Sequence, residues 1–480
     1  MRPTKKFAVD RTAPRLKRRS ERFFYQLDSS NGEDALSEVI LQMPGRVLVV
    51  TDTDQSAQWI SGHIASSRRN SINLAGGKKP SDEGLTLDEI RQLDDLVIIG
   101  LRSMLFASVG RIDHLVIVEE WSEHHWERQG PYWNSRDVAL IRHEVEGASL
   151  HFVGTAMSLE LARLIDLGYI KSKRASSRWR RGKRRTITTQ PQSYHRVIAE
   201  GLRKGPVLIS VAGKSYVGAL LCARCRTKPL CPCGGGLIQE NQRSYRCRLC
   251  QKTFDAIRCH ICDHTSFLML RKGAERIAVE LGKAFPQTQI FINNAEHQVE
   301  VDQSSKCIVI STSGVEPRVA GGYAGLVLLD GEFLVALPHL RAEEEAMQRW
   351  SRELNLASPD SALHISLLAA HPIAQSLMAA SSNIFTRRAL SARKESNLPP
   401  YSRMIAIAGE TAALRALSTQ LRKESDISFE AYPVNKDSVM WLKVPIESAD
   451  EVMKLLRVVQ RYRSATKKAL FKIKIDGYQI

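Results

Sequence analysis

Eight of the nine cysteines of this chain fall in four close couples between residues 222 and 262: Cys222/Cys225, Cys231/Cys233, Cys247/Cys250 and Cys259/Cys262. A C-x-x-C turn aims both sulfurs at one point, and two such turns complete a tetrahedron for Zn²⁺. Eight thiolates therefore make two Cys₄ sites with no position left open for water, which is a structural arrangement and not a hydrolytic one. So short and polar a segment cannot build a hydrophobic core. The metal must supply its folding energy, roughly 10 kcal/mol or more per site. The competing reading is a disulfide cluster, which the knuckle spacing and a reducing compartment both oppose. One couple, Cys231-Pro232-Cys233, has a single intervening residue and makes a tighter hook. His260 and His264 are the substitute ligands there, though both read better as solvated bystanders. Cys307, inside the apolar run CIVIST, reads as a core residue.

A chain of 480 residues has room for two to four domains. Its 43% hydrophobic and 25% charged residues are those of a soluble globular protein. No apolar run has the length of a membrane span, and none follows the basic N-terminus, so a cytoplasmic protein without a secretory leader is expected. Sixty-nine basic against 51 acidic residues leave a formal charge of +18, and such a surplus points to a polyanion, most often nucleic acid. Simple solubility is the bland alternative.

The charge is clumped. Lys171 to Arg185 holds nine cations, no acid and one aromatic residue, while residues 1–24 hold nine more cations against Asp10 and Glu21. Runs of this kind are either solvated linkers or phosphate-tracking elements. On the second reading Arg178, Trp179, Arg180, Arg181, Lys183, Arg184 and Arg185 contact DNA, with Trp179 stacking on an unpaired base.

Hydrophobic periodicity predicts an α/β chain. The runs at 46–51, 95–100, 114–119 and 150–155 read as buried parallel strands, and residues 54–67 and 135–145 carry helical spacing. A second α/β unit opens at 206–211. It resumes after the cysteines with a helix at 272–285 and strands QIFIN, CIVIST, GLVLLD and, beyond a helix at 341–354, HISLLAA. Past Pro399-Pro400 the order strand, helix, strand, strand, helix, strand predicts a split βαβ, ferredoxin-like domain. The expected divisions are a basic tail (1–33), a first lobe (34–170), a basic linker (171–190), a second lobe (191–395) with the cysteine insertion, and a C-terminal α+β domain (396–480). No internal repeat is visible.

The cysteine couples, LLCARC and the helix after them look like the zinc insertion of the PriA family of bacterial replication-restart helicases. VIIGLRSMLF (97–106) is similar to that family's VIxGTRSAxF segment, and HLVIVEEW (114–121) sits where it has its acidic DEEH box. VGTAMS (153–158) and IVISTSGVEP (308–317) stand at its GSATPS and GTQM positions, and NLPPYSRM (397–404) resembles the junction before its last domain. The likeness covers about residues 30 to 480. It implies two RecA-like lobes, and a nested metal pairing in which Cys222, Cys225, Cys259 and Cys262 share one zinc ion. Cys231, Cys233, Cys247 and Cys250 would share the other.

The departures bear on activity. A helicase of this class needs a G-x-x-x-x-G-K-[ST] loop for its triphosphate, whereas residues 29–34 read Ser-Ser-Asn-Gly-Glu-Asp. The one GKS, Gly213-Lys214-Ser215, lies in the second unit and reads as a chance match. In the acidic box Val118 stands for the magnesium-site aspartate, Glu119 and Glu120 remain, and Trp121 replaces the histidine. Residues 353–362 stand where the family carries its arginine finger, and they contain no arginine. A finger alone is worth on the order of 10³ to 10⁵ in rate, so loss of lysine, metal ligand and finger together predicts no hydrolysis. Only about 45 residues precede the first expected strand, too few for the family's 3′-end-binding and winged-helix domains.

The expectation is thus a DNA-binding restart protein and not an enzyme, with no catalytic residues. The resemblance implies that it recognises abandoned forks and helps reload the replicative helicase within a primosome. Arg387, Arg388, Arg393 and Lys394 are further DNA contacts or a solvated helix face. The rival readings are a DNA-stimulated ATPase with a non-standard nucleotide site and a zinc-ribbon scaffold for RNA or protein.

Overall fold

The computed structural model describes residues 20–27, 32–67, 69–83, 86–174, 187–190, 193–213, 220–225, 227, 229–232, 236–241, 244–247, 252–269, 274–337, 339–379, 383–423, 430–431 and 438–476. Residues 1–180 and 181–480 form two compact units. No helix among the described residues is long and apolar enough to cross a membrane.

The first unit begins with β1 (Arg22–Gln26), α1 (Gly32–Leu41), β2 (Arg46–Val50), α2 (Asp54–Ala65) and β3 (Ser71–Asn73). There follow α3 (Leu87–Gln92), β4 (Leu96–Gly100), β5 (His114–Val118) and α4 (Ser135–Glu146). It closes with β6 (Ser149–Gly154), α5 (Leu159–Asp166) and β7 (Lys171–Arg174). The strands form one sheet in the order β3-β4-β2-β5-β6-β1-β7, with every described neighbour parallel. Strands β2 and β4 are buried along their whole length, which a sheet covered on both faces requires and which their Val/Ile/Leu runs encode. One core lies under α1 and α2, the other under α4 and α5.

Two expected boundaries move. The basic tail was drawn to residue 33 and the linker from 171, yet Arg22–Gln26 is an inner strand and Lys171–Arg174 the edge strand beside it. Alternating Phe23, Tyr25, Lys171 and Lys173 hid both strands, because their cations read as solvent-facing charge. In the sheet, the Lys173 ammonium lies 3.6 Å from the Phe23 ring centre.

The second unit opens with β8 (Ile187–Thr188), α6 (Tyr194–Leu202) and β9 (Val207–Val211). The cysteine module comes next, with β10 (Leu220–Cys222), β11 (Leu237–Asn241), β12 (Ser244–Cys247), β13 (Thr253–Phe254) and β14 (Phe267–Met269). The lobe resumes with α7 (Ala274–Ala284), β15 (Gln289–Asn293), β16 (Cys307–Thr312) and β17 (Tyr323–Leu328). Helices α8 (Gly331–Val335) and α9 (Ala342–Glu353) precede β18 (Ala357–Ile365), and α10 (Pro372–Met378) and α11 (Asn383–Glu395) end the lobe. Its sheet, β15-β16-β9-β17-β18-β8, is again parallel throughout. The strand expected at HISLLAA starts seven residues earlier and ends at Ile365, so much of the segment aligned with the arginine-finger box is sheet. The linker drawn to residue 190 likewise contributes β8 to this sheet. Cys307 is a core residue, as its apolar surroundings foretold.

Beyond Pro399-Pro400 come β19 (Ser402–Ala408), α12 (Thr411–Lys423), β20 (Glu430–Ala431), β21 (Val439–Pro445), α13 (Ala449–Ala465) and β22 (Lys472–Ile475). The sheet order is β20-β21-β19-β22 with antiparallel neighbours, and both helices pack on one face. That is the strand-helix-strand-strand-helix-strand order read from the sequence.

Candidate metal centre and acidic site

The cysteine module is built on two equivalent knuckles. In the first, Cys222 N–H donates to Thr227 O at 2.9 Å; in the second, Cys259 N–H donates to His264 O at 2.9 Å. The antiparallel pairing of β10 with β14 brings the knuckles together, with Cys222 in register opposite Phe267. The sulfurs of Cys222, Cys225, Cys259 and Cys262 then all lie within 4.8 Å of one another. Three of the Sγ–Sγ separations are 3.4–3.5 Å. A tetrahedron with metal–sulfur bonds near 2.3 Å has edges of about 3.8 Å, so the group fits a tetrahedral cation. Donors from Thr227 pull the Cys225 thiol down to about 6, toward the thiolate a metal needs. Four cysteines thus form a group able to hold a metal ion. His260 is exposed and His264 is half-buried, and both stand outside it.

Of the inner couples, Cys231 and Cys247 are buried in a small core with Leu220, Leu237 and Ile257. Cys233 and Cys250 lie outside the described residues.

In the first lobe the acidic box leaves the C-terminal end of β5. Val118 is sealed in the core with Val47, Val49 and Val153. Glu119 turns the chain at φ +49°, and its carboxylate accepts from Thr155 N–H at 3.0 Å and from the Trp121 indole N–H. Burial pushes the Glu119 carboxyl up to about 7, against these two donors and with help from nearby Asp52. Glu120 is held more tightly: Ser158 donates from its N–H at 2.7 Å and its hydroxyl at 3.0 Å, and Arg136 Nη1 stands 3.5 Å away. Burial raises the Glu120 carboxyl too, with Arg136 and Ser158 opposing. Arg136 also reaches Ser158 Oγ at 3.0 Å and Glu160 at 3.5 Å. His125 is wholly buried and bonds Val118 O through Nε2 at 2.8 Å, and burial holds its imidazole below the usual histidine range.

Both glutamates are therefore engaged by the chain's own donors. Sequence reading missed these partners, Ser158 and Arg136 above all. The one available signal was a serine just before an apolar helical run, since Ser158 caps α5 by accepting from Leu161 N–H at 3.1 Å.

Residues of the missing nucleotide loop fall between β1 and α1, where Ser29, Ser30 and Asn31 lie outside the described residues. Helix α1 begins at Gly32. Gly213 follows β9, and Lys214 and Ser215 are outside the described residues. In the second lobe, Ser313 Oγ donates to Glu353, while Glu316 accepts from Gly314 N–H at 2.8 Å. Burial, then the charge of Glu316, pushes the Glu353 carboxyl up to about 8.

The expected DNA contacts Arg178, Trp179, Arg180, Arg181, Lys183, Arg184 and Arg185 all lie outside the described residues. Arg387, Arg388 and Lys394 are exposed on α11. Arg393 is not available as a contact, because it is buried and bonds Glu344 at 2.5 Å and Leu340 O at 2.6 Å.

No protein-family model matches this chain. It is similar to the "Probable replication restart protein PriA" of Mycobacterium tuberculosis, 29% identical over 354 residues, which is 67% of this chain and 53% of that protein. The "Replication restart protein PriA" of Rickettsia conorii is 23% identical over 248 residues, 48% of this chain and 37% of that protein. The chain spans about half the length of the curated mycobacterial relatives it matches. Among solved structures, RecG bound to a three-way DNA junction superposes with TM-score 0.40 and 10% identity over 78% of this chain and 43% of that one. So loose a superposition adds nothing to what the sheet orders already display.

Proposed function

We propose that this chain is a DNA-binding replication-restart protein that acts at abandoned forks without hydrolysing ATP. The observation that carries the reading is the 354-residue similarity to a mycobacterial replication restart protein. Each of the two parallel-sheet lobes offers DNA a surface of its own. The zinc module and C-terminal domain make contacts to the fork and to primosome proteins, the replicative helicase among them. The module holds two Zn²⁺ ions, one on Cys222, Cys225, Cys259 and Cys262, the other on Cys231, Cys233, Cys247 and Cys250. Zinc here supplies folding energy and no catalytic step. Cations from Arg178 to Arg185 follow phosphates, with Trp179 stacking on an unpaired base.

The absence of hydrolysis rests on this chain's own residues. Glu119 accepts from Thr155 and Trp121, Glu120 is bound by Ser158 and Arg136, and Val118 supplies no oxygen where a magnesium ligand would be needed. The test compares forked DNA, plain duplex and RNA as ligands of the full chain, with and without ATP. Preference for the fork, unchanged by ATP and without turnover, is expected. Equal binding of fork, duplex and RNA would sink the fork reading. DNA-stimulated turnover that disappears in Glu119→Gln would sink the non-catalytic one.

A further inference from the structure

Helix α13 packs on the C-terminal sheet through Val452 and Leu456, which are buried in the core of that domain. Its outer side is not uniformly polar. Val458 is 60% exposed and Tyr462 61%, with half-buried Leu455 before them and exposed Ala465 after them. Spacings of three, four and three residues put these four side chains on one line along the helix. Apolar side chains exposed singly are ordinary on a protein surface, and a line of them at this spacing is not.

Cations border this line on one side. Lys454, Arg457 and Arg461 are exposed on the turns beside it, and the Lys468 ammonium lies 5.6 Å from the Tyr462 ring centre. The chain has no acid between Glu451 and Asp476. Among the described residues no carboxylate pairs with Lys454, Arg457 or Arg461. The two acids of the helix, Asp450 and Glu451, stand in its first turn, where the helix dipole accounts for them.

Phosphates would satisfy these cations and leave Val458 and Tyr462 unexplained. A bilayer asks for a broad apolar face, and α13 gives its opposite side to the sheet. An apolar line one residue wide with like charges along its flank has the form of a helix–helix seam, in which apolar side chains interlock and flanking charges choose the partner. Resting on the reading that the C-terminal domain meets a partner protein, we propose that α13 is the docking site for an acidic amphipathic helix of that partner. The partner's apolar stripe lies along Leu455, Val458, Tyr462 and Ala465, and its carboxylates lie along Lys454, Arg457 and Arg461.

The experiment titrates the full chain with a heptad-repeat peptide that has leucine at its seam positions and glutamate beside them, and with the same peptide carrying lysine for glutamate. The acidic peptide should bind and the lysine peptide should not. Val458→Ala should weaken the acidic peptide roughly tenfold, and Tyr462→Ala at least as much. Both side chains are exposed, so the urea midpoint of each variant should match the wild type. Lys454→Glu, Arg457→Glu and Arg461→Glu together should transfer the preference to the lysine peptide. Failure of the acidic peptide to bind, or binding indifferent to Val458→Ala and Tyr462→Ala, would overturn the docking site. So would an equal loss of forked-DNA affinity in the triple variant, which assigns the cations to phosphates. Capture by phosphatidylserine vesicles that Val458→Ala abolishes would overturn it in favour of a bilayer. Fork preference is measured on the same samples: its absence from the wild type would sink the restart reading, whereas its persistence beside a failed peptide titration would sink the docking site alone.

Discussion

Two buried glutamates differ in what holds them, and the difference is testable at the level of one carboxyl. Glu353 sits at the end of α9 with Ser313 as a hydroxyl donor and Glu316 close by, and burial, then Glu316, pushes its carboxyl up to about 8. In the unfolded chain a glutamate titrates near 4.3. The folded lobe therefore keeps a proton that the unfolded chain has lost, and folding stability falls as pH rises across that interval. The contribution is complete below about pH 4.3 and gone above about 8. Glu316→Gln removes the neighbouring charge, so Glu353 should titrate lower. Urea unfolding of the second lobe, measured from pH 5 to 9, should lose part of its decline with pH in this variant. An unchanged pH profile would mean that burial alone sets Glu353. At the same scale, the acidic pair Glu119–Glu120 was legible in the sequence as an altered box, and so was Val118. The engagement of both carboxylates was not, because Arg136 comes from α4 and Thr155 and Ser158 from the segment after β6, with only Trp121 beside the pair in sequence. Their convergence depends on the register of β5 with β6.

Among elements, periodicity located the strands that are buried on both faces and missed those at the basic end of the first sheet. β2, β4 and β5 each carry four consecutive apolar residues, whereas β1 reads RFFYQ and β7 reads KSKR. A cation over a ring stays partly wet, so its sequence signature is that of a solvated run. Helix α5 shows how a single hydroxyl can tie an element to a site. Ser158 caps the helix and gives two hydrogen bonds to Glu120. Ser158→Ala should keep the backbone bond and lose the cap and the hydroxyl bond. The expected cost to the first lobe is about 2–3 kcal/mol, read as a lowered urea midpoint. A cost below about 0.5 kcal/mol would show that Arg136 alone satisfies Glu120. The split βαβ order of the last domain was readable because its strands alternate cleanly and Pro399-Pro400 marks its start.

For the molecule as a whole, the surplus of +18 and its clumping decide how binding should respond to salt. If the run from Lys171 to Arg185 contributes about five phosphate contacts, log K against log salt should slope by roughly −4.5 on duplex. Alanine at Arg180, Arg181, Arg184 and Arg185 should flatten that slope by about 3. A slope left intact by those four changes would move the contact to the N-terminal cations or the zinc module. The start of that run belongs to a strand, since Lys171–Arg174 pairs with β1 in the first sheet. Charge composition could announce a polyanionic partner without telling which cations are sheet and which are free to track it.

The pairing of β10 with β14 has a consequence for what chelation can and cannot undo. The first and last strands of the cysteine module lie side by side, about 4.8 Å apart. A guest domain entered and left through one narrow doorway can melt without pulling on its host. Elemental analysis should find two zinc ions per chain. A strong chelator, or Cys222→Ser, should release metal and abolish protease resistance between residues 223 and 258. The cooperative unfolding of the parallel-sheet lobe should persist, and Cys307→Ser should leave metal content unchanged. Collapse of the lobe together with the metal would show instead that the doorway is a hinge on which the host depends.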